Sequence, residues 1–131
     1  MHGEYHIEVI NDIIKISVRG AFNDIGAKAL AIDLKKTIEA YGQEPFAIMA
    51  NLLDFDGGTP EVFAESDEFN AWLNSKNMMA KALIFTSPVL IAIEKTLVTS
   101  KAKQNIQYFD NTSAAKKWLD KQMQAWRPKH P

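Results

Sequence analysis

The spacing of hydrophobic residues predicts two kinds of strand. Residues 5–10 and 13–19 alternate loosely between apolar and polar side chains, as half-buried strands do, and the polar turn between them predicts a β-hairpin. Residues 46–52 and 82–85 are continuously apolar instead, which is typical of strands covered on both faces. A last short strand is predicted at residues 106–109. The sheet therefore opens with a hairpin and continues into a buried centre.

Helices are predicted between these strands, because apolar residues recur there every three or four positions. Each helical segment begins at a residue that can cap it, and in two cases a proline follows at the first helical position. The predicted caps are Asn23 or Asp24, Thr59 before Pro60, Ser87 before Pro88, and a residue between 110 and 113. The elements therefore follow in the order ββαβαβαβα.

That order predicts a single α/β domain. Strands that alternate with helices form βαβ units, so we expect a mostly parallel five-stranded sheet with an antiparallel first strand and helices packed on it. The chain of 131 residues has the length of one domain. We place the domain at residues 1–126 and assign residues 127–131 to a C-terminal tail.

Composition narrows the range of functions. The chain has no cysteine, which excludes disulfides, zinc–thiolate sites and thiol catalysis. A net charge of −1 creates no field that would draw the protein to nucleic acid. No transmembrane segment, secretion signal or nucleotide-binding glycine pattern is present, so we expect a cytoplasmic protein that binds no cofactor. Symmetric pairing is common among small domains, and we therefore predict a homodimer.

The residues after the third predicted strand offer the strongest candidate chemistry. Asp54 and Asp56 follow a buried strand and precede a predicted helix start, and in α/β folds ligands gather at such strand ends. The spacing is similar to the motif of haloacid-dehalogenase phosphatases, in which the first aspartate is the nucleophile and the second the acid/base beside magnesium. An extra glycine displaces Thr59 from that motif, and Asp110 lacks the paired aspartate expected after the last strand.

The same residues also have a structural explanation. Gly57 and Gly58 permit backbone angles that other residues avoid, and Asp54 or Asp56 can accept hydrogen bonds from the amides of their own turn. None of the three histidines falls near this segment, so no Ser/His/Asp constellation can be drawn. A strand, a tight turn and a capped helix would explain every residue of this segment without a catalytic role.

Charge suggests one further alternative, because acidic residues predominate up to residue 93 and basic residues from Glu94 onward. The lysine-rich C-terminal third would then bind a membrane surface or lipid head groups by electrostatic attraction. Like most runs of charge, it is also explained as a solvated surface.

Three segments together resemble a known family over nearly the whole chain. They are the opening hairpin, residues 53–60 (Leu-Asp-Phe-Asp-Gly-Gly-Thr-Pro), and Tyr108-Phe109-Asp110 followed by residues 114–119 (Ala-Ala-Lys-Lys-Trp-Leu). This pattern resembles the STAS fold of sporulation anti-sigma-factor antagonists. More closely, it resembles their SpoIIAA-like relatives, which are grouped with the lipid-binding SEC14 domains.

The resemblance implies a non-enzymatic regulatory or binding module. In antagonist STAS proteins a serine in this turn is phosphorylated, and the added charge blocks docking of a partner. Here a glycine of the pair Gly57-Gly58 stands in place of that serine. The resemblance thus assigns Asp54, Asp56, Gly57, Gly58 and Thr59, with the second helix, to recognition of an unknown protein partner or of a small ligand, lipids being among the candidates. The alternative is a magnesium-dependent phosphatase that uses Asp54 and Asp56.

Overall fold

Five strands and four α-helices alternate in the computed structural model, which describes residues 2–129. The strands are β1 (Glu4–Ile10), β2 (Ile13–Phe22), β3 (Phe46–Gly58), β4 (Met78–Ile84) and β5 (Ile106–Phe109). The helices are α1 (Asp24–Glu39), α2 (Pro60–Leu73), α3 (Pro88–Leu97) and α4 (Thr112–Trp126), with 3₁₀ turns at Thr99–Lys103 and Arg127–Lys129. The predicted order ββαβαβαβα is confirmed.

The strands lie in one sheet in the same order as in the chain. β1 pairs antiparallel with β2, and the other three pairs are parallel, as predicted. Crossovers between parallel strands are right-handed, so a sheet that grows in one direction collects its crossover helices on one side. The helices α1, α2 and α3 accordingly cover one face, called here the three-helix face, and α4 covers the other.

The two faces of the sheet bury side chains of different size. The core of the three-helix face contains large residues such as Phe46, Phe69 and Leu83. The core under α4 contains four alanines beside larger residues such as Ile84 and Leu119. The alanines are Ala47, Ala80, Ala82 and Ala115, each 0% exposed. Small side chains let a helix approach a sheet closely and leave little room between them. The layer under α4 is richer in small side chains than the three-helix face.

β2 and β3 extend further than the sequence predicts. The sequence predicts strands at residues 13–19 and 46–52, but β2 continues to Phe22 and β3 to Gly58. The two strands remain paired over this extension, with register shifts that absorb the irregular backbone. Pairing of backbone amides and carbonyls outweighs the local turn preference of aspartate and glycine. Residues 53–58 therefore form a strand, and the prediction of a loop there is wrong.

The helix ends largely follow the predicted signals. Asn23, Ser87 and Asn111 each accept a hydrogen bond from an amide in the first turn of their helix, at 3.0, 3.2 and 2.8 Å. α4 ends at Trp126, and a 3₁₀ turn forms the described part of the predicted tail. Residues 130 and 131 of that tail lie outside the described residues. Within residues 2–129, every helix is too short or too polar to cross a membrane.

Candidate functional site

Asp54 and Asp56 lie on the outer part of β3, where the strand leaves the core. Both side chains are exposed, whereas Phe55 between them packs against the core of the three-helix face. Because side chains alternate along a strand, the two carboxylates project together from the opposite face. Asp54 is opposite Arg19 of β2 in the register. The ion pair of Arg19 with Glu4, 2.9 Å long, raises the pKa of Arg19, and the charge of Asp54 adds a smaller effect in the same direction.

The two glycines fix the backbone between β3 and α2. Gly57 has a φ of +89°, a conformation that side-chain-bearing residues rarely adopt, and a Cβ there would lie 3.1 Å from Leu90 Cδ2. A Cβ at Gly58 would lie 2.6 Å from the carbonyl oxygen of Phe22 and 2.9 Å from Val62 Cγ2. The backbone angle at Gly57 disfavours a side chain, and Gly58 has no room for one. The end of β3 is therefore held closely against β2, α2 and α3.

Thr59 occupies the predicted N-cap position of α2, but its side chain forms no capping hydrogen bond. Its carbonyl oxygen accepts one instead, from the amide three residues on, at 3.0 Å. The hydrogen bonds expected from local amides to Asp54 or Asp56 are likewise not formed among residues 2–129; Asn51 Oδ1 accepts from the Leu53 amide at 3.1 Å. Backbone pairing and Asn51 hold this segment together, so the two carboxylates and the Thr59 hydroxyl are not needed for its conformation.

The exposed residues between positions 53 and 61 form what is called here the strand-end surface. It consists of Leu53, Asp54, Asp56, Gly58, Thr59, Pro60 and Glu61. Three of its side chains are carboxylates, none is basic, and Leu53 is a large hydrophobic residue that is 46% exposed. At the neighbouring start of α3, Val89 is 68% exposed. The surface thus combines negative charge with exposed apolar groups on a fixed backbone.

The geometry gives no support to the phosphatase hypothesis. Asp54 and Asp56 line neither of the two best-defined cavities among residues 2–129. No group of three acidic or histidine side chains in this part of the chain is placed to hold a metal ion. Ser87, the hydroxyl that follows β4, caps α3 by accepting from the Leu90 amide. The two aspartates face solvent side by side and not a common substrate pocket.

A cavity of about 160 Å³ lies between the sheet and the helices of the three-helix face. Its walls from β2 and α1 are apolar and include Val18, Leu30 and Leu34. Its walls from α2, β4, α3 and the following 3₁₀ turn carry polar side chains as well: Glu65, Ser66, Asn70, Lys81, Glu94 and Lys101. One side of the cavity is therefore hydrocarbon and the other side is charged.

The charged cluster on this wall is not among the sites that the sequence predicts. Lys81 is 5% exposed and donates a hydrogen bond from Nζ to Asn70 Oδ1 at 2.6 Å, while Lys101 and Glu94 form an ion pair of 2.9 Å. Burial and, to a lesser extent, the positive charge of Lys101 lower the pKa of Lys81 to about 7, against an opposing effect of Glu94. The sequence contains one indication of a buried charge. Lys81 lies in an apolar strand, two positions before Leu83, and alternation therefore places both side chains on the same face of the sheet.

Comparison with known proteins defines the fold. No protein-family model matches the chain, and no curated protein matches it. One similar solved structure is an uncharacterised protein of the DUF3478 family with a SpoIIAA-like fold, from Shewanella loihica PV-4. It has a TM-score of 0.66 and 12% identity, over 90% of this chain and 94% of that one.

A second similar structure is the anti-sigma factor antagonist SpoIIAA in its unphosphorylated form. The TM-score is 0.62 and the identity 10%, with coverage of 90% of this chain and 96% of that chain. At such identities the similarity concerns the fold alone. It agrees with the observed element order and sheet topology, and it confirms the fold that the sequence predicts. The chain adopts a SpoIIAA-like fold.

Proposed function

We propose that the chain is a non-enzymatic recognition module of the STAS type, which binds a protein partner through the strand-end surface and the start of α2. The main observation behind this proposal is that Asp54 and Asp56 lie side by side on a backbone whose conformation is fixed by two glycines. Neither carboxylate is needed to maintain that conformation. A rigid surface loses little conformational freedom when a partner binds.

The strand-end surface is better suited to binding a protein than to binding a small ligand. The exposed residues line neither of the two best-defined cavities of the described residues, and small ligands require concave sites that bury most of their surface. The three carboxylates call for a partner with lysine or arginine at its contact surface, and the exposed Leu53 adds apolar area. The similar structure of an anti-sigma factor antagonist, whose name describes action on another protein, supports the same choice.

Charge reversal tests this proposal directly. Tagged wild type and the double variant Asp54→Lys/Asp56→Lys are used to capture partners from extract of the native cells, with quantitative mass spectrometry. We expect the double variant to retain less than about a tenth of the specifically bound partner, because like charges then face each other. The matched control is Glu8→Lys/Glu39→Lys, which reverses two exposed carboxylates on β1 and α1 and should leave capture unchanged.

Two results would contradict the proposal. One is equal capture of the same proteins by wild type and by the Asp54→Lys/Asp56→Lys variant. The other is equal loss in the control variant, which would assign the interaction to net charge and not to this surface. Circular dichroism of all three proteins establishes that they are folded.

Two expectations from the sequence stay predictions. A homodimer is tested by sedimentation equilibrium, in which a monomer mass at all concentrations would contradict it. Binding of the lysine-rich C-terminal third to a membrane surface is tested by co-sedimentation with vesicles of anionic lipid at low salt. If the protein stays in the supernatant at low salt, binding to a membrane surface is excluded.

A further inference from the structure

The buried charges on the cavity wall do not balance. Glu94 neutralises Lys101 through their 2.9 Å ion pair. Glu65, the other carboxylate on the wall, lies 3.9 Å from Lys28, whose side chain is 59% exposed, so the charge of Glu65 is balanced at the surface. Among residues 2–129 no carboxylate lies within ion-pair distance of Lys81. A protonated Lys81 is therefore a buried cation without its own anion.

Such a cation is costly in an apolar interior. The ammonium of Lys81 has three N–H donors, and the amide oxygen of Asn70 accepts one of them. The opposite wall of the cavity, from β2 and α1, offers hydrocarbon only. An anion placed in the cavity beside Lys81 would supply both the missing charge and the missing acceptors.

The size of the cavity limits what that anion is. A protein cavity of about 150 Å³ holds a benzene molecule, and the present one has about 160 Å³. The cavity therefore has room for an apolar body about the size of one benzene ring. A lipid with two acyl chains is too large. The apolar walls also select against a ligand whose body is itself polar, such as a sugar phosphate.

We propose that this cavity binds a small organic monocarboxylate with a compact apolar body, its carboxylate at Lys81 and its hydrocarbon against the β2 and α1 walls. This site lies inside the three-helix face and is separate from the strand-end surface. The proposal therefore stands or fails independently of partner binding.

Benzoate and benzamide test the requirement for charge, since they have nearly the same shape and only benzoate is an anion. Binding is followed by NMR of methyl groups that line the cavity, in Leu34, Ile48 and Leu83. At pH 6.5 we expect saturable shifts with benzoate, and a dissociation constant at least about tenfold lower than for benzamide, since a charge-assisted hydrogen bond is involved.

Two variants locate the binding. Lys81→Met removes the charge and keeps the length of the side chain, so the advantage of benzoate over benzamide should disappear. Ala31→Leu fills the cavity from α1 and should abolish binding of both compounds. The control Ala29→Leu adds the same group to an exposed position of the same helix and should leave binding unchanged.

Three results would overturn the proposal: equal affinity of the wild type for benzoate and benzamide, unchanged benzoate affinity in folded Lys81→Met, or shifts that do not saturate. If Lys81→Met fails to fold, Ala31→Leu against Ala29→Leu decides, and equal benzoate binding by these two overturns it. Hexanoate and decanoate test the size limit, because a single carboxylate with a short body should bind at least as tightly as one with a long chain.

The pH dependence of benzoate binding gives an independent readout. The charged groups that face Lys81 are Glu65 on α2, Glu94 on α3 and Lys101 in the 3₁₀ turn. Because the pKa of Lys81 lies at about 7 in the free protein, binding above that pH requires uptake of a proton. Affinity should be highest below pH 7 and should fall about tenfold per pH unit above it. Affinity that is constant from pH 6 to 9 would overturn the assignment of the carboxylate to Lys81.

Discussion

The strand-end surface and the cavity of the three-helix face use charge in opposite ways. Asp54 and Asp56 project into water, where their charges cost little and where their removal leaves the backbone pairing intact. Lys81 carries its charge in the core and depends on the surrounding groups for compensation. Removing the charges of the first site should therefore change binding without changing stability, whereas removing charges of the second site should change stability strongly.

The largest expected effect is that of Glu94→Gln. This change leaves Lys101 without its anion and leaves two buried lysines close together. Removing one partner of a buried ion pair costs about 3–5 kcal/mol in the free energy of unfolding. Urea denaturation at pH 6.5 measures it, with Glu39→Gln at an exposed position of α1 as control. A cost as small as that of the control would show that the cluster is not a structural unit.

Lys81→Met should reveal the cost of the buried ammonium. Between pH 7 and 10.5 the unfolded chain binds a proton that the folded protein lacks, because folding lowers the pKa of Lys81 from 10.5 to about 7. The wild type should therefore gain roughly 1.4 kcal/mol per pH unit relative to the variant as the pH rises from 7.5 to 9. Below pH 7 the penalty is fully present in the wild type.

Urea unfolding of both proteins at several pH values measures this difference. A gap between wild type and Lys81→Met that does not change from pH 6 to 9 would contradict the assigned titration. Lys81 would then not be a buried group that titrates near pH 7, and the difference in charge between the cavity and the strand-end surface would not hold.

Adding volume to each face of the sheet compares their packing. Ala115→Leu introduces a larger side chain into the alanine-rich layer under α4, where Ala115 is 0% exposed, and should cost about 1–3 kcal/mol. Ala31→Leu introduces the same group into the cavity and should cost less than about 0.5 kcal/mol or stabilise the protein. Thermal unfolding measures both. If both substitutions lowered the free energy of unfolding equally, the cavity would have no room for a leucine side chain at position 31.

The smallest effect on stability is expected for Asp54→Lys/Asp56→Lys. Both positions are exposed and contribute no hydrogen bond to the turn among the described residues. The free energy of unfolding should therefore change by at most about 0.5 kcal/mol, chiefly because a lysine at position 54 lies opposite Arg19. Gly58→Ala provides the contrast, because its Cβ would meet the Phe22 carbonyl oxygen at 2.6 Å. A stable Gly58→Ala variant would contradict the close packing of this segment.

The sequence predicts the fold well because its signals are local and agree with one another. Alternation in the hairpin, the continuous apolar strands and the caps Asn23, Ser87 and Asn111 each specify their element from nearby residues. The length of β3 was underestimated, since pairing of residues 54–58 with β2 is a long-range interaction that local turn preferences conceal. Tertiary pairing outweighs such preferences.

The candidate sites were predicted unequally for the same reason. The exposed aspartates and glycines stand together in the sequence, so the strand-end surface is visible there, although its loop conformation was wrong. Asn70, Lys81, Glu94 and Lys101 lie on four different elements, and only the folded chain brings them together. An isolated lysine in an apolar strand was the single local signal, and sequence alone does not identify its neighbours.

Site-specific cross-linking tests the central claim, recognition through the strand-end surface, most directly. A photoreactive amino acid replaces Asp56 in one protein and Glu8, exposed on β1, in another, and each is irradiated in native cell extract. We expect the protein with the photoreactive residue at position 56 to form one discrete cross-linked product. This product should be absent when the photoreactive residue is at position 8, and it should be lost when Asp54→Lys is combined with the photoreactive residue at position 56. The same cross-links from both positions, or none from position 56, would contradict it.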